Sequence, residues 1–316
     1  MGRLRLRLGY EPDDETYGSG KPGRGGEHFV GQTEAPLMVK PYIDTMTRSE
    51  IMTLMTGGMA TIAGAVLVAY VGFLGAGDPV LQQYFATHLL VAPMISAPAG
   101  LVAAKMMVPE TEEVNQELLF PRHRMGSNLL DAITGGATEG VKLAVNVGAM
   151  LLVFIAFIAM VNYVTTHWVG EWTGLNGVIE EWSGGRYEGL TLQAIFGVLF
   201  APIAWLLGVA TQDLLAVGQC LGEKTTLNEF YAYVTFSQMK EAGLIEDPRS
   251  IIIATYALCG FANFSSIGIQ IGGISVLAPH RRTVLCELGV RSLIAGTIAS
   301  LLTACVAGML LDGPAP

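Results

Sequence analysis

The chain has 316 residues, of which 51% are hydrophobic and only 14% are charged, and its mean hydropathy is +0.48. A water-soluble domain of ordinary composition carries more charge and less apolar surface, so this composition predicts a protein embedded in a lipid bilayer. The formal net charge of -9 argues against nucleic-acid binding and against an anchor that binds anionic lipids.

The first segment, residues 1–27, differs from the rest of the chain. It is dense in Arg, Gly, Asp and Glu and has no apolar run. Such a segment cannot bury enough apolar surface to fold, and it lacks the apolar stretch of a signal peptide, so we expect it to be disordered. We expect residues 28–140 to form one limb of a re-entrant hairpin, two spans and an interfacial segment. Residues 141–316 should form a span, an interfacial helix, a second hairpin and two C-terminal spans.

Several stretches are apolar enough to cross the hydrocarbon core, which requires about 20 residues of helix. They are residues 51–77, 81–104, 141–164, 250–279 and 292–311. A further apolar stretch, 189–212, is predicted to be an interfacial helix. With that assignment, the arginines that precede the last span lie in the cytoplasm, as the positive-inside bias requires, and the C-terminus lies outside.

Two polar turns occupy matching places in the chain. Glu34 lies in the turn before residues 51–77, and Glu229 lies in the turn before residues 250–279. Small and polar residues interrupt both of the apolar stretches that follow. Repeated broken helices beside polar turns are typical of transporters that bind substrate near the membrane midplane. We therefore predict an all-α polytopic membrane protein, an inverted-repeat transporter core with re-entrant hairpins and broken helices.

The turns also carry the chemistry of a binding site. A carboxylate at membrane depth costs on the order of 3 kcal/mol or more unless it faces a partner or a cavity, so it is kept mainly where it binds something. Glu34 and Glu229, with the neighbouring polar groups of Gln32 and Thr33, suit either a cation or a neutral ligand rich in N–H and O–H donors.

The interruptions of the apolar stretches have two possible roles. Asn263 and Ser266 are as suited to hydrogen bonding between helices as to ligand binding, and Phe261 beside them can stack on a planar ring. An unwound turn at Thr61 would free carbonyl oxygens for a hard cation such as sodium. The sequence has no Ser-His-Asp pattern, P-loop or dinucleotide fingerprint, so a membrane enzyme using Glu34 and Glu229 as acid and base is the less favoured alternative.

Four motifs resemble those of the concentrative nucleoside transporter family and occur in the family's order. They are F-V-G-Q-T-E-A-P-L at 29–37, M-T-G-G-M-A-T-I-A-G at 55–64, G-E-K-T-T-L-N-E-F at 222–230 and A-L-C-G-F-A-N at 257–263. The resemblance implies a nucleoside symporter of the inner (plasma) membrane, coupled to Na⁺ or H⁺ and without an organic cofactor. It also implies a homotrimer that works by an elevator-like movement.

The resemblance assigns the binding residues as well. Those expected to contact the nucleobase or line its pocket are Gln32, Thr33, Glu34 and Val66, with Phe261 beside the ligand. Those expected to bind the ribose hydroxyls are Glu229, Asn263 and Ser266. Sodium would be bound by the carbonyls of Val30 and Ile62 and by the hydroxyl of Thr61.

The chain departs from the family upstream of Phe29. The family has an Ala-Asn-Ile stretch there, whose Asn is a cation ligand, whereas this chain reads Gly26-Glu27-His28. Members of the family also carry further spans and the first limb of the first hairpin. We therefore expect a truncated or frameshifted gene product with little transport of its own. The alternative is a non-transporting remnant or a nucleoside-binding membrane protein.

Overall fold

The computed structural model describes residues 31–32, 35–114, 156–185 and 187–310, with isolated helical positions between 134 and 153. The segment 1–27, which we expect to be disordered, lies outside these residues, and the span predicted over 141–164 lies partly outside them. All regular structure in the described part is helical, in agreement with the all-α prediction.

The first half of the described chain begins with two short helices, α1 (Ala35–Met38) and α2 (Lys40–Ile43), which lead into α3 (Arg48–Ala60) and α4 (Gly64–Gly75). A capping box starts α3. The Glu50 amide donates to the Thr47 hydroxyl at 3.1 Å, and the Thr47 amide donates to the Glu50 carboxylate at 3.0 Å. The stretch predicted over 51–77 is thus a helix broken after Ala60.

The first half ends with the long helix α5 (Pro79–Met107), which has 29 residues. The Asp78 carboxylate caps its start by accepting from the Val80 amide at 2.8 Å. At 1.5 Å of rise per residue α5 is about 44 Å long, more than the thickness of the hydrocarbon core. The span predicted over 81–104 lies entirely within this helix.

The second half begins with a helix that continues to Tyr163, and a π-helical stretch, Val164–Gly170, follows it. The helices that follow are α6 (Leu175–Trp182), α7 (Leu192–Leu206), α8 (Leu214–Thr226), α9 (Glu229–Glu241), α10 (Pro248–Leu258), α11 (Phe264–Leu277) and α12 (Arg282–Leu310). The stretch predicted over 250–279 is therefore also broken, between α10 and α11. The predicted interfacial helix over 189–212 corresponds to α7, whose 15 residues span only about 22 Å.

The two halves share an order of elements. In each, a hairpin arm precedes a broken helix, and the broken helix precedes a long unbroken one: α1–α2, α3–α4 and α5 in the first half, then α9, α10–α11 and α12 in the second. By length and composition, two helical segments of the described chain can cross a membrane, Pro79–Met107 and Pro279–Leu310.

The break between α3 and α4 lies against the break between α10 and α11, and the place where they meet is called the crossing. The Phe261 amide donates to the Thr61 carbonyl at 3.3 Å, which joins one break directly to the other. Gly260 has φ +140°, and a Cβ there would lie 3.0 Å from the Ala60 carbonyl oxygen and 2.9 Å from the Ser300 hydroxyl. A side chain at residue 260 would be strained in this backbone conformation and would push the breaks apart, so the crossing requires glycine.

Two apolar cores flank the crossing. One lies among α4, α5, α7 to α10 and the end of α12, and in it the rings of Tyr70 and Tyr233 stack at 4.0 Å. The other lies among α2, α3, the ends of α5 and α11 and the first half of α12, around Ile43, Met52 and Leu288. Together the cores hold the hairpins and the broken helices around the point where the two breaks meet.

Candidate functional site

Glu229 lies at the centre of the polar groups around the crossing. It is the first residue of α9, directly after the turn that joins α8 to α9, and it is only 5% exposed. Asn263 Nδ2 donates to Glu229 Oε2 at 2.9 Å, and the Tyr70 hydroxyl donates to Oε1 at 3.3 Å. The N-terminal end of α9 also favours a negative charge there. A carboxylate in this setting can accept further hydrogen bonds from a ligand.

Asn263 organises the break between α10 and α11. Its Oδ1 accepts from the Ser266 amide at 2.9 Å and from the Ser265 hydroxyl at 2.6 Å, so that Asn263 caps α11 while its Nδ2 reaches Glu229. Asn263 and Ser266 are both buried. Glu229, Asn263 and Ser266, the three residues expected from the sequence to bind the ribose hydroxyls, lie together in the fold.

Gln32 reaches the same group from the first half. Its Nε2 donates to the Ser266 hydroxyl at 3.2 Å, and its Oε1 accepts from Gln270 Nε2 at 3.2 Å. Gln270 Nε2 also donates to the Met55 carbonyl at 3.0 Å. An unbroken path of hydrogen bonds therefore runs from α3 through Gln270, Gln32 and Ser266 toward Glu229.

Gln270 and Tyr70 also belong to the site, although neither is among the residues expected from the sequence. Gln270 is four residues after Ser266, so both project from one face of α11, and this spacing is a signal that would have found it. Tyr70 lies inside an apolar helix, and its contact with Glu229 depends on how α4 packs against α9. No local pattern in the sequence marks that contact.

Close packing at Gly58 supports the glutamine pair. A Cβ at residue 58 would lie 2.7 Å from Gln270 Nε2 and 3.1 Å from Gln32 Cβ. Contacts this short require one of the two side chains to move. The glycine in α3 therefore lets the two amides meet against the helix backbone.

The other predicted substrate residues occupy varied positions. Phe261 and Val66 are half-buried and pack against the core that contains Tyr70. Thr33, Glu34 and Val30 lie outside the described residues, so their predicted roles remain predictions.

The predicted cation ligands Thr61 and Ile62 lie in the break between α3 and α4. The Thr61 hydroxyl donates to the Gly57 carbonyl at 2.9 Å. A hydroxyl that donates its hydrogen in this way presents acceptor lone pairs to any other group, as a cation ligand must. The described residues contain no cluster of three or more His, Cys, Asp or Glu side chains, so a cation here would depend on carbonyl and hydroxyl oxygens.

A buried cation accompanies the central carboxylate. Lys224, near the end of α8, is 3% exposed, and its Nζ donates to the Ala257 carbonyl at 2.8 Å. Ala257 lies in the last turn of α10, where the helix dipole favours a positive charge. Lys224 is also close enough to Glu229 for the two charges to interact. The ammonium group thus fixes the end of α8 to α10 and offsets the charge of the carboxylate.

Comparisons with known proteins identify related transporters. A family profile described as "Na+ dependent nucleoside transporter C-terminus" matches residues 88–308. An uncharacterised transporter of Haemophilus influenzae is 42% identical over 90% of this chain and 64% of its own length. Sodium/nucleoside cotransporter 1 of Rattus norvegicus is 40% identical over 90% of this chain and 43% of its own length. The chain thus spans less than two thirds of the length of these relatives.

Solved structures show the same fold. CNTnw in an inward-facing substrate-bound state has a TM-score of 0.71 and 39% identity over 91% of this chain and 63% of that one. A CNTnw variant in an outward-facing state has a TM-score of 0.73 and 38% identity over 93% of this chain and 65% of that one. These similarities cover more than nine tenths of this chain.

Proposed function

The chain belongs to the Na⁺-dependent nucleoside transporter family, and from this premise we propose that it serves cation-coupled uptake of nucleosides across the inner (plasma) membrane. The family consists of transporters, so the alternative of a membrane enzyme is set aside. Membership also makes the chain a multi-pass membrane protein. The substrate, the coupling ion and the transport mechanism are proposals.

The observation that carries the proposal is the path of hydrogen bonds joining the two halves at their crossing. Gln32 donates to Ser266, the Ser266 amide donates to Asn263, and Asn263 donates to Glu229. Each link is 3.2 Å or shorter. Polar groups held in this way are pre-organised, so a ligand that replaces some of these bonds has little ordering entropy to overcome.

The donors and acceptors match the two ends of a nucleoside. Glu229 is an acceptor that can receive ribose hydroxyls, with Asn263 and Ser266 next to it. The Gln32 amide offers both a donor and an acceptor, which suits the N–H and carbonyl groups of a base edge. By analogy we place Thr33 and Glu34 on the base side, with Phe261 and Val66 along the apolar wall.

For the coupling ion we propose sodium at the first break. The family's description names sodium dependence, and the Thr61 hydroxyl and the carbonyls of Ile62 and Val30 offer the oxygen ligands that a hard cation prefers. The Thr61 carbonyl accepts from Phe261 at the second break. A cation at Thr61 would therefore order the backbone next to the nucleoside pocket.

We further propose an elevator-like movement within a homotrimer, with the ends of α3, α5 and α12 that carry basic residues on the cytoplasmic side. Contacts among those ends support this orientation. Arg281 donates to the carbonyls of Asp44 and Met46, and the Arg48 guanidinium pairs with the Glu287 carboxylate at 2.7 Å. Basic residues gathered on one side are typical of cytoplasmic loops.

The test is uptake and binding with uridine as the probe. The purified chain is reconstituted in liposomes, and uptake of labelled uridine is measured under an inward sodium gradient, with choline in place of sodium as the control. We expect uridine to raise the thermal midpoint, because a ligand that binds only the folded state stabilises that state. If the folded chain shows no shift with either uridine or adenosine at any concentration up to the millimolar range, the proposed substrate class is wrong.

The second candidate function is nucleoside binding without transport. It is favoured by the completeness of the polar path around Glu229, which does not depend on any movement of the helices. A uridine-dependent thermal shift with no sodium-driven uptake in the same preparation would support this candidate over the symporter.

A further inference from the structure

A second buried carboxylate lies in the same hairpin as Glu229. Glu223 belongs to α8, six residues before Glu229, and it is 3% exposed. Gln219 lies one turn earlier on the same helix, and its Nε2 donates to Glu223 Oε1 at 2.8 Å. The proposed nucleoside site uses neither side chain.

The other oxygens of this pair are buried without a partner. Glu223 Oε2 and Gln219 Oε1 have no hydrogen-bond partner among the described residues. Both are acceptors if the carboxylate is ionised, so neither can satisfy the other. A buried polar group left unpaired costs about 1–3 kcal/mol, and an unpaired buried charge costs considerably more.

The surroundings offer little that would stabilise a negative charge. Helix α7, which packs most closely on α8, has no ionisable side chain, and its Gly197 meets Gly218 and Gly222 backbone to backbone. The Thr235 hydroxyl of α9 is the remaining polar group near Glu223, and it makes no hydrogen bond to Oε2. The Tyr187 hydroxyl lies against Gly197, on the side of α8 that Gln219 occupies.

The charged groups on the neighbouring helices face elsewhere. Lys224 is adjacent in sequence, but its ammonium group donates to the Ala257 carbonyl of α10. On α9, Glu229 is bound by Asn263, and the Lys240 ammonium donates to the Leu74 carbonyl. On α10, Arg249 lies beside Gly208. Among the described residues, no cation is paired with Glu223.

We propose that Glu223 and Gln219 form a proton-binding site, in which Glu223 is a neutral carboxylic acid. A proton on Oε2 turns that atom into a donor for Gln219 Oε1, while Gln219 Nε2 continues to donate to Oε1. The acid and the amide then share two hydrogen bonds in a ring, and both unpaired oxygens are satisfied together. The proton comes from solvent water, and ionisation of the acid returns it there.

A metal cation fits these atoms less well. The available oxygens are Glu223 Oε2, Gln219 Oε1 and the Thr235 hydroxyl, whereas hard cations such as Ca²⁺ take about six or more. The proton needs only one donor and one acceptor. This site goes beyond the proposed transport function, because its ligand is bound whether or not a nucleoside is present.

The test is infrared spectroscopy of the full chain in lipid at neutral pH, without nucleoside. We expect the carbonyl stretch of a protonated carboxylic acid in the native chain, its loss in Glu223→Gln, and its retention in Glu241→Gln, which alters an exposed carboxylate of the same hairpin. The new amide in Glu223→Gln can donate to Gln219 Oε1 as the acid does. The variant should therefore keep the native thermal midpoint at neutral pH.

Other outcomes overturn the proposal. Absence of the band from the native chain would show an ionised carboxylate, and persistence of the band in Glu223→Gln would assign it to another residue. Loss of the band when sodium chloride replaces choline chloride would indicate a sodium site instead. If Glu223→Gln does not fold, Gln219→Met provides the assignment, because removal of both ring hydrogen bonds must shift the band to higher frequency. A band unmoved by Gln219→Met contradicts the ring.

Discussion

The two halves contribute to the central site in different ways. The second half holds its polar groups by short bonds within one helix break, with Asn263 bound to Ser265, to the Ser266 amide and to Glu229 at 2.6–2.9 Å. The first half offers Gln32, which is half-buried and is bound at 3.2 Å by two residues of the second half. The proposed ribose side is thus held mainly within the second half, with one 3.3 Å bond from Tyr70 of the first half, whereas the proposed base side depends on bonds between the two halves.

This difference suggests that the two halves recognise different parts of the ligand. A site fixed by several short, buried bonds recognises an invariant group, and a ribose is common to all nucleosides. A single amide held by longer bonds can adjust to different base edges. Variants on the two sides should therefore differ in the size of their effects and in their dependence on the base.

The largest effect is expected for Glu229→Gln. The variant removes the charge that is proposed to accept the ribose hydroxyls, and two hydrogen bonds to a charged group contribute about 3 kcal/mol or more. Uridine affinity measured by calorimetry should fall by about 100-fold, since 1.4 kcal/mol corresponds to a factor of ten. Glu241→Gln, which changes an exposed carboxylate at the end of the same helix, is the control and should bind normally. Equal affinities for the two variants would remove Glu229 from the site.

The next effect is expected for Gly58→Ala. The added methyl group would lie 2.7 Å from Gln270 Nε2, so the glutamine pair must separate. We expect about a tenfold loss of uridine affinity, the order of magnitude of one lost hydrogen bond with some strain. Gly72→Ala is the matched control, because a Cβ there has no neighbour within 4 Å.

The control has an expected direction of its own. Alanine in place of glycine within a helix is favourable by up to about 1 kcal/mol, so Gly72→Ala should preserve binding and raise the thermal midpoint slightly. If Gly58→Ala binds uridine as tightly as Gly72→Ala does, the pair of amides is not required for the base side.

A smaller effect tests whether Gln270 acts through Gln32. A double-mutant cycle compares Gln32→Ala, Gln270→Leu and the double variant. The free-energy effects of substituting two residues of one network are not additive. We expect a coupling energy of about 1 kcal/mol in uridine binding, so that the second substitution costs little once the first is made. The readout that excludes a merely structural role is base dependence. The loss for Gln270→Leu should differ between uridine and adenosine, and additive, base-independent losses would contradict the positioning role.

The sequence predicted the parts of this arrangement that local patterns encode. Long uncharged stretches with small polar interruptions predicted both broken helices, and the polar residues Asn263 and Ser266 lie at the second interruption. Contacts that arise only when distant helices cross were not predictable, because the bond from Tyr70 to Glu229 and that from Gln270 to Gln32 join residues more than a hundred positions apart. Gly260 appeared only as a small residue, and its positive φ at the crossing of the breaks emerges from the fold.

The smallest effect concerns two carboxylates that join separate segments by hydrogen bonds, each of which is called a brace here. The brace of the second half is more buried than that of the first half. In the second half, the buried Asp213 carboxylate accepts from the amides of Glu246 and Asp247 at 3.2 Å. In the first half, the brace is the partly exposed Glu110 carboxylate, which binds Lys105 Nζ and the Thr47 hydroxyl, each at 2.9 Å. An exposed brace should contribute less to stability than a buried one.

Glu110 allows the brace of the first half to be tested by pH. Burial raises the pKa of Glu110, but hydrogen bonds from Lys105 and Thr47 and the charge of Lys105 outweigh it and hold that pKa below its usual range. Its stabilising contribution is therefore present above the unfolded-state pKa of about 4.3 and is lost as the pH falls through the lower folded-state pKa. Glu110→Gln should lower stability by less than about 1 kcal/mol at neutral pH and converge with the native chain in acid. Thermal midpoints across this pH range measure the effect, and Glu113→Gln, which changes an exposed carboxylate, is the control. A difference between Glu110→Gln and the native chain that persists in acid would mean that the brace stabilises the fold by packing and not by charge.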